Sequence, residues 1–315
     1  MRFEIITIFP GFFASIFEHG ILRRAQAAGL VSVGVHDLRA FTHDRHRTVD
    51  DRPFGGGEGM VLKPEPLAEA LEELGIRTKK DRGQCSPTHA TEEGRIDGVP
   101  GELNVRAEAR ALQNTSSSES DLTNKTGAEG TRVVILLSAQ GRPFTQAVAR
   151  DLAKFERVVL ICGRYEGVDE RINELYCDME LSIGDYVLSG GELAAAVVVD
   201  TVMRLLPGVL GNEASGEFES FGAADAEIAV DQEGVPRSQH GAGGLLDYPH
   251  YTRPAEFGGL RAPEVLLNGD HQQIRRWRRE QQLRKTLTNR PDLLEHAVLS
   301  EEDLRLLETI RASND

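Results

Sequence analysis

The stretch Ser182-Ile183-Gly184-Asp185-Tyr186-Val187-Leu188-Ser189-Gly190-Gly191-Glu192 decides the fold. It is a tight loop almost bare of bulky side chains, and it opens into the apolar run Leu193 to Val199. Glycine at 184, 190 and 191 lets the backbone approach a ligand or another strand closely. A helix that begins at such a loop aims its first N–H groups at whatever the loop holds. Working outward, Arg157 to Cys162 reads as a buried strand that ends in a second glycine-bearing loop, Gly163-Arg164-Tyr165-Glu166-Gly167. Arg132 to Leu137 is a β-branched strand, and Pro143 to Lys154 reads as a helix with Pro143 in its first turn. Glu192 to Leu206 is a helix that stops at Pro207-Gly208. Towards the N-terminus, Arg2 to Phe9 and Val31 to Asp37 read as strands and Pro64 to Leu74 as an amphipathic helix. Strands alternating with helices predict an α/β fold, and strand ends that open into glycine loops are where such sheets bind ligands.

Two segments interrupt this pattern. Thr78 to Gly130 dissolves into Ser, Thr, Gly, Asn and charged residues and reads as a flexible insertion, and Ala223 to Gly244 is irregular and acidic. The chain from there to Asp315 reads as a small, mostly helical domain. At 315 residues and 40% hydrophobic content the chain can bury a real core and divides into two domains. Its longest apolar stretch, Leu193 to Val199, is broken by Asp200 and is far shorter than the roughly 18 residues of a membrane span. Met1 to Pro10 carries no small-residue cleavage site, so the expectation is a cytoplasmic protein without a secretory signal or membrane partner. Cys85, Cys162 and Cys177 lack the spacing of a disulfide framework or a zinc site and read as reduced packing residues.

The net charge of −14 argues superficially against a nucleic-acid partner. Local charge decides otherwise. Gly208 to Asp247 holds eight acidic residues and one Arg, whereas Leu260 to Arg290 holds eight basic and three acidic residues. In the second segment Arg275, Arg276, Arg278 and Arg279 flank Trp277 on a predicted helix that continues to Arg284 and Lys285, a basic surface with an aromatic anchor. Taken alone, it reads better as a solvated helix with Ile274 and Trp277 turned to a core.

A further run, His43-Asp44-Arg45-His46-Arg47-Thr48-Val49-Asp50-Asp51-Arg52-Pro53-Phe54-Gly55-Gly56-Gly57, alternates charges with glycines. His43, Asp44 and His46 offer too few ligands for a metal site. Phosphate gripping by Arg45, Arg47 and Arg52 is the functional reading, and a surface ion-pair network with Asp44, Asp50 and Asp51 is the plain one. None of the glycine loops has the GxGxxG or GxxxxGK[ST] pattern, so NAD and ATP lose their usual support. Backbone groups beside Tyr165, Ile183, Tyr186 and Leu188 describe a pocket able to take an adenosyl group.

Four motifs together resemble one family. His43 to Gly57, Cys162-Gly163-Arg164-Tyr165-Glu166-Gly167-Val168-Asp169-Glu170-Arg171, Ser182 to Glu192, and Pro249-His250-Tyr251-Thr252-Arg253-Pro254 are similar to the bacterial tRNA (guanine-N1)-methyltransferases, TrmD, of the SPOUT superfamily. The resemblance spans Met1 to Ile76, Thr131 to Phe221 and Leu245 to Ile310 in the same order. It implies an α/β fold with a SPOUT-type parallel sheet and a C-terminal trefoil knot, plus a small C-terminal helical domain. The division it implies is residues 1–210 for the knotted domain, with the insertion at 78–130, then an acidic linker at 211–247 and a tRNA-binding domain at 248–315. It implies a homodimer with the active site between subunits, S-adenosylmethionine as methyl donor, and magnesium, to which the sequence assigns no ligands. As substrate it implies tRNA with a guanine immediately 3′ of the anticodon, where another guanine precedes it. The matching cofactor positions are Leu137, Ser138, Gly163, Tyr165, Ile183, Gly184, Asp185, Tyr186, Val187, Leu188, Gly190 and Gly191.

The reaction demands a base for the guanine N1 proton and a donor for charge growing on O6. By resemblance these are Glu219 and Arg204, with Glu166 near the cofactor or ion. The sequence departs from the family by placing Glu at 219, where Asp is usual; Glu217 and Asp225 are the neighbouring carboxylates. The expected RNA contacts are His43, Arg45, His46, Arg47 and Arg52, His250, Tyr251 and Arg253, and Arg275 and Arg278 on the basic helix. Two other readings remain: a non-catalytic RNA-binding homologue, and a SPOUT enzyme acting on another base.

Overall fold

In a computed structural model the described residues are 1–82, 131–211, 219–222, 243–297 and 299–313. In chain order the elements are β1 (Arg2–Thr7), α1 (Gly20–Ala27), β2 (Ser32–Asp37), β3 (Asp50–Asp51), β4 (Val61–Leu62), α2 (Pro64–Glu73) and α3 (Lys79–Arg82). They continue with β5 (Arg132–Pro143), α4 (Gln146–Leu152), β6 (Arg157–Cys162), α5 (Glu170–Tyr176), β7 (Met179–Ser182) and α6 (Glu192–Met203). Last come β8 (Glu256–Phe257), β9 (Leu260–Arg261), α7 (His271–Asn289) and α8 (Glu301–Ala312). The chain forms two compact units: Met1–Phe13, Val33–Pro143 and Lys154–Ala195 make the first, and Ala14–Ser32, Phe144–Ala153 and Ala196–Asp315 the second.

The principal sheet has the order β2-β1-β6-β5-β7, and its pairs β1–β6, β6–β5 and β5–β7 are parallel. Parallel strands covered on both faces are largely apolar, and Phe3, Ile5 and Ile6 in β1 and Val158 to Ile161 in β6 are all at most 1% exposed, with the buried Glu4 of β1 paired to His36 (2.6 Å). One face, carrying Ile6, Val134, Leu136, Val159 and Ile161, packs against Leu67, Ala70 and Leu71 of α2 and Ile172 and Tyr176 of α5. The spacing of Leu67, Ala70 and Leu71 places them on one stripe of α2, so the sheet captures that helix by its apolar side. β1 ends at Thr7, two residues before the predicted end, because the Thr7 hydroxyl accepts the Phe9 N–H (3.0 Å) and turns the chain out of the sheet.

Two other boundaries differ from expectation for stated reasons. Pro143 does not open a helix: β5 runs through it, and α4 begins at Gln146, where the Thr145 hydroxyl caps the Val148 N–H (3.4 Å). Within β5 the pairing shifts, since Leu137 and Arg142 both face Leu181 of β7. Ser138 to Gly141 therefore bulge out, and Gly141 is required there because a Cβ would lie 2.5 Å from the Leu181 backbone. α6 stops at Met203, three residues short of the expected end, in tight turns closed by Leu205 N–H to Val202 O and Leu206 N–H to Met203 O (both 3.1 Å).

The start of the segment read as an insertion is held in place. Arg82 of α3 bonds the Asp178 carboxylate (2.7 Å) and the Tyr176 carbonyl (2.8 Å), while residues 83–130 lie outside the described residues. In the second unit α7 and α8 close over Leu245, Leu283, Leu307 and Ile310. The Asp270 carboxylate caps α7 by accepting the N–H groups of Gln272 (3.0 Å) and Gln273 (3.1 Å), starting it four residues before Arg275. Among the described residues no helix is long and apolar enough to cross a membrane.

Candidate active site

The bulge within β5 and the carboxyl ends of β6 and β7 give three loops that enclose a cleft of about 420 Å³. Leu137 and Ser138 come from the first loop, Gly163, Tyr165 and Glu166 from the second, and Ile183, Gly184, Tyr186, Val187, Leu188, Gly190 and Gly191 from the third. Of the twelve expected cofactor positions only Asp185 is absent from this lining. The loops are drawn together by backbone: Gly191 donates its N–H to the Gly163 carbonyl (2.9 Å), and Arg164 bridges Gly190. A Cβ on Gly191 would sit 2.7 Å from Cys162 Cα, and one on Gly163 3.2 Å from the Leu137 carbonyl oxygen. At Gly191 the wall is bare peptide because a Cβ has no room.

Tyr165 adopts φ +58°, a strained value for a non-glycine residue, and this turns its ring outward at the rim. Partial burial raises its phenol pKa, and a hydrogen bond to the Asp50 carboxylate adds to the shift. Asp50 belongs to β3, which pairs with β4, and β4 is tied to the second loop by Leu62 N–H to Gly167 O and by Glu166 N–H to Met60 O (both 3.0 Å). The loop of glycines after Arg52 is thereby fastened at the cleft. Gly59, at φ +86°, leaves room for the Glu166 side chain, which a Cβ would meet at 2.2 Å. The thiol of Cys162, directly behind this wall, is free, and burial pushes its pKa well up, with Glu192 reinforcing the shift.

Arg45, His46, Arg47 and Arg52 are exposed in the neighbouring segment. His43 lies 2.9 Å from Glu69, and Asp44 is spent on its own loop, accepting from the Thr48 N–H (2.9 Å) and hydroxyl (2.8 Å). Those Thr48 hydrogen bonds lower the Asp44 carboxyl pKa. The plain readings of several motif residues are also visible. Asp169 caps α5 by accepting the Arg171 N–H (3.0 Å), and it pairs with the Arg171 guanidinium (2.7 Å).

In the second unit Arg204 and Glu219 form a bidentate pair, Nη1 to Oε1 at 3.2 Å and Nη2 to Oε2 at 2.6 Å, with both side chains half-buried. The pair raises the Arg204 pKa, with burial working against it. The segment bearing Glu219 is pinned by Phe221 N–H to Leu245 O (2.9 Å), by Arg150 to the Phe221 carbonyl, and by Asp247 N–H to the Ser220 hydroxyl (2.9 Å). Glu217 and Asp225 lie outside the described residues.

The same unit gathers the remaining expected contacts on one surface. Tyr251, 52% exposed, has its ring 6.3 Å from that of Trp277; Tyr248 lies 4.7 Å from His250; and the Arg278 guanidinium sits 4.9 Å over Tyr248. Arg253 is exposed beside them in sequence, whereas Arg275 is half-buried. Arg279 from the same basic run serves packing instead, gripping Asp303 of α8 at 2.7 and 2.9 Å. Sequence reading assigned no role to Thr7, which lies in no motif, or to Glu192, which closes one; the hydrogen bond from the Thr7 hydroxyl to Glu192 (2.8 Å) is visible only in three dimensions.

One unit with a parallel sheet whose strand ends open into a glycine-lined cleft, and another with a basic aromatic surface, are features suited to an enzyme that modifies nucleic acid. The family profile described as tRNA (Guanine-1)-methyltransferase TrmD matches residues 1–87 and 112–296. The tRNA (guanine-N(1)-)-methyltransferase of Koribacter versatilis (strain Ellin345) is 50% identical over 315 residues, covering all of both chains. Those of Dehalococcoides mccartyi (strain 195) and Pelotomaculum thermopropionicum are each 42% identical, over 100% and 99% of this chain and 99% and 97% of their own. The chain belongs to the TrmD family of tRNA (guanine-1)-methyltransferases.

Proposed function

We propose that this chain transfers the methyl group of S-adenosylmethionine to N1 of the guanine immediately 3′ of the anticodon in tRNA. The observation that carries the reading is the cleft: three loops, two of them packed so closely that a Cβ would lie 2.3 Å from Arg164 at Gly190 and 2.7 Å from Cys162 Cα at Gly191, faced with Ile183, Tyr186, Val187 and Leu188. Bare amides can read an adenine edge and ribose hydroxyls, and the apolar side chains can cover the rings, so the residues present fit an adenosyl group. Bound there, the sulfonium supplies an electrophilic methyl group.

The chain's own residues handle the proton and the charge. Guanine presents O6, an acceptor, beside N1–H, a donor. The Arg204–Glu219 pair presents a donor beside an acceptor, the complement of that edge. The guanine edge replaces the contact between the two: Arg204 donates to O6, and Glu219 accepts the N1 proton. Glutamate in place of the family's usual aspartate moves the carboxylate outward by roughly 1 Å, and the contact with Arg204 sets where it lies before guanine takes that contact's place. Glu166, on the cleft wall against Gly59, holds the rim of the cofactor site. Among the described residues no three metal-ligating side chains gather at one point, so no step is assigned to magnesium.

The wider organisation follows the family. We assign residues 1–210 to a knotted cofactor domain with a trefoil at its C-terminal part, 211–247 to a linker and 248–315 to a helical tRNA-binding domain. The protein works as a homodimer in the cytoplasm. Support for the dimer comes from apolar side chains left exposed at the cleft and on α6: Val187 (87%), Tyr186 (55%), Leu193 (50%) and, one turn on, Val197 (42%). RNA is held by the arginines of the 43–52 segment and by the surface around Trp277.

The test is methyl transfer from labelled S-adenosylmethionine to tRNA transcripts that carry or lack the guanine. Label should enter only the former. Glu219→Gln and Arg204→Ala should each lower kcat by about a hundredfold or more while leaving cofactor affinity near wild type. Transfer to transcripts lacking the guanine would instead indicate another target base, and tRNA binding without any transfer a non-catalytic homologue.

A further inference from the structure

Three chain segments converge behind the cleft: the end of β1, the loop after β6 and the first residue of α6. Glu192 is 2% exposed, yet it is a carboxylate. One oxygen, Oε1, accepts the Thr7 hydroxyl (2.8 Å), and the other, Oε2, lies 3.4 Å from Arg164 Nε. Thr7 in turn accepts the Phe9 N–H (3.0 Å), and the Phe9 ring carries the Arg164 guanidinium 4.4 Å from its centre. The four residues therefore close a ring: Thr7 to Glu192, Glu192 to Arg164, Arg164 to the Phe9 ring, and the Phe9 backbone N–H back to Thr7.

The ring touches both halves of the cleft wall. Arg164 belongs to the loop of residues 163–167, and Glu192 ends the loop of residues 183–191. Between them Gly190 has no room: a Cβ would lie 2.3 Å from Arg164 Nε and 2.5 Å from Glu192 Oε2. Burying a carboxylate is costly, and an apolar residue would pack a purely structural position at less cost. The favourable N-terminus of α6 offsets part of that cost but does not explain why both oxygens are aimed at the two flanking segments.

We infer that Glu192 is a positioning residue for the cofactor cleft, setting the separation of the 163–167 and 183–191 loops through Arg164, with Thr7 fixing its direction. The inference rests on the reading of the cleft as the S-adenosylmethionine site. Neither residue touches the reacting atoms. Their removal shifts the walls, so the effect falls on cofactor affinity and on KM for S-adenosylmethionine, while kcat at saturating cofactor and affinity for tRNA hold.

The experiment is isothermal titration of the full chain with S-adenosylmethionine and with S-adenosylhomocysteine, alongside tRNA binding and steady-state kinetics. Glu192→Gln keeps an acceptor for Thr7 but loses the charge opposite Arg164. Thr7→Val loses the hydroxyl and leaves the pair with Arg164, and Thr7→Ser restores the hydroxyl. Glu192→Gln and Thr7→Val should each weaken both cofactor affinities by about tenfold, with Thr7→Ser close to wild type, in keeping with a hydrogen bond to a charged group. Wild-type affinity in folded Thr7→Val would overturn the inference even if Glu192→Gln proved too unstable to measure. So would equal losses of cofactor and tRNA affinity, or a failure of Thr7→Ser to restore binding. If the wild-type protein itself bound neither ligand, the identity of the cleft would fail instead.

Discussion

The cleft of the first unit is held in shape by glycine backbone packed against backbone, with Ile183, Tyr186, Val187 and Leu188 facing it, and the basic surface of the second is made of side chains. The two differ in what a single substitution can do. At Gly191 an added Cβ meets Cys162 Cα at 2.7 Å and Gly163 N at 3.1 Å, backbone atoms inside a parallel sheet that cannot swing aside. Around Trp277 every contact ends in a flexible or singly anchored side chain, so a loss at one position leaves the others in place. A ligand read by peptide groups is therefore recognised all or none, and one read by arginines and rings is recognised by degrees.

The sharpest way to break this comparison is Gly191→Ala. The methyl group forces the 162–164 backbone and the third loop apart, and displacement of about 1 Å at such a site costs on the order of a hundredfold. S-adenosylmethionine affinity measured by calorimetry should fall by at least that factor while tRNA affinity changes little. A variant that binds the cofactor normally would mean the wall gives way, and the distinction between the two regions would disappear.

Much of the cleft was legible in the sequence because glycine spacing is a backbone signal. Gly163, Gly184, Gly190 and Gly191 announce close approach wherever the chain goes, and the structure brings their loops to one place. The elements missed were those whose residues look ordinary. α5 was readable only through its cap at Asp169; β7, four residues long, has too short a pattern to separate from a turn; and the bulge at Ser138 to Gly141 is written in a single glycine. Pro143 misled because its fixed φ suits a strand end as well as a first helical turn, and Thr145 decided between them. Arg279 misled differently: in sequence it is one of four equivalent arginines, and only the fold shows that Asp303 claims it.

That claim yields a second test, of intermediate size, which compares two buried carboxylates. Glu192 closes a ligand cleft, whereas Asp303 holds two helices together: it binds Arg279 bidentately and completes a capping box with Ser300, accepting its N–H at 2.9 Å. Burial acts to raise the Asp303 carboxyl, but the bonds from Arg279 and Ser300 outweigh it and hold the pKa below its ordinary 3.8. A carboxyl depressed on folding stabilises fully above its unfolded pKa, and the contribution is lost as pH falls through the folded value. The α7–α8 pair should thus loosen in acid, below about pH 4. Asp303→Asn should cost about 2 kcal/mol near neutral pH, because it removes the carboxylate charge from a bidentate contact with the half-buried Arg279, and it should flatten the acid limb of the melting profile. Circular dichroism melts of the full chain across pH would reveal a steep acid limb in the variant if this assignment were wrong. Cofactor affinity should be unaffected, which separates this carboxylate from Glu192.

The smallest effects belong to the surface around Trp277, and their smallness is the point. Arg278→Ala removes one cation that lies over Tyr248. If RNA is held there mainly through its phosphates, the variant should bind every tRNA a few-fold more weakly and lower the salt slope of binding by about one. Tyr251→Ala removes an exposed ring backed by Trp277, and a loss of stacking there should weaken binding by about fivefold or more with the salt slope unchanged. The double variant should lose roughly the product of the two factors, because one contact is electrostatic and the other is not. Binding curves at several salt concentrations distinguish the outcomes. A collapse of affinity from Arg278→Ala alone would mean that this surface, like the cleft, depends on one fixed geometry, since a distributed arginine surface loses affinity in increments.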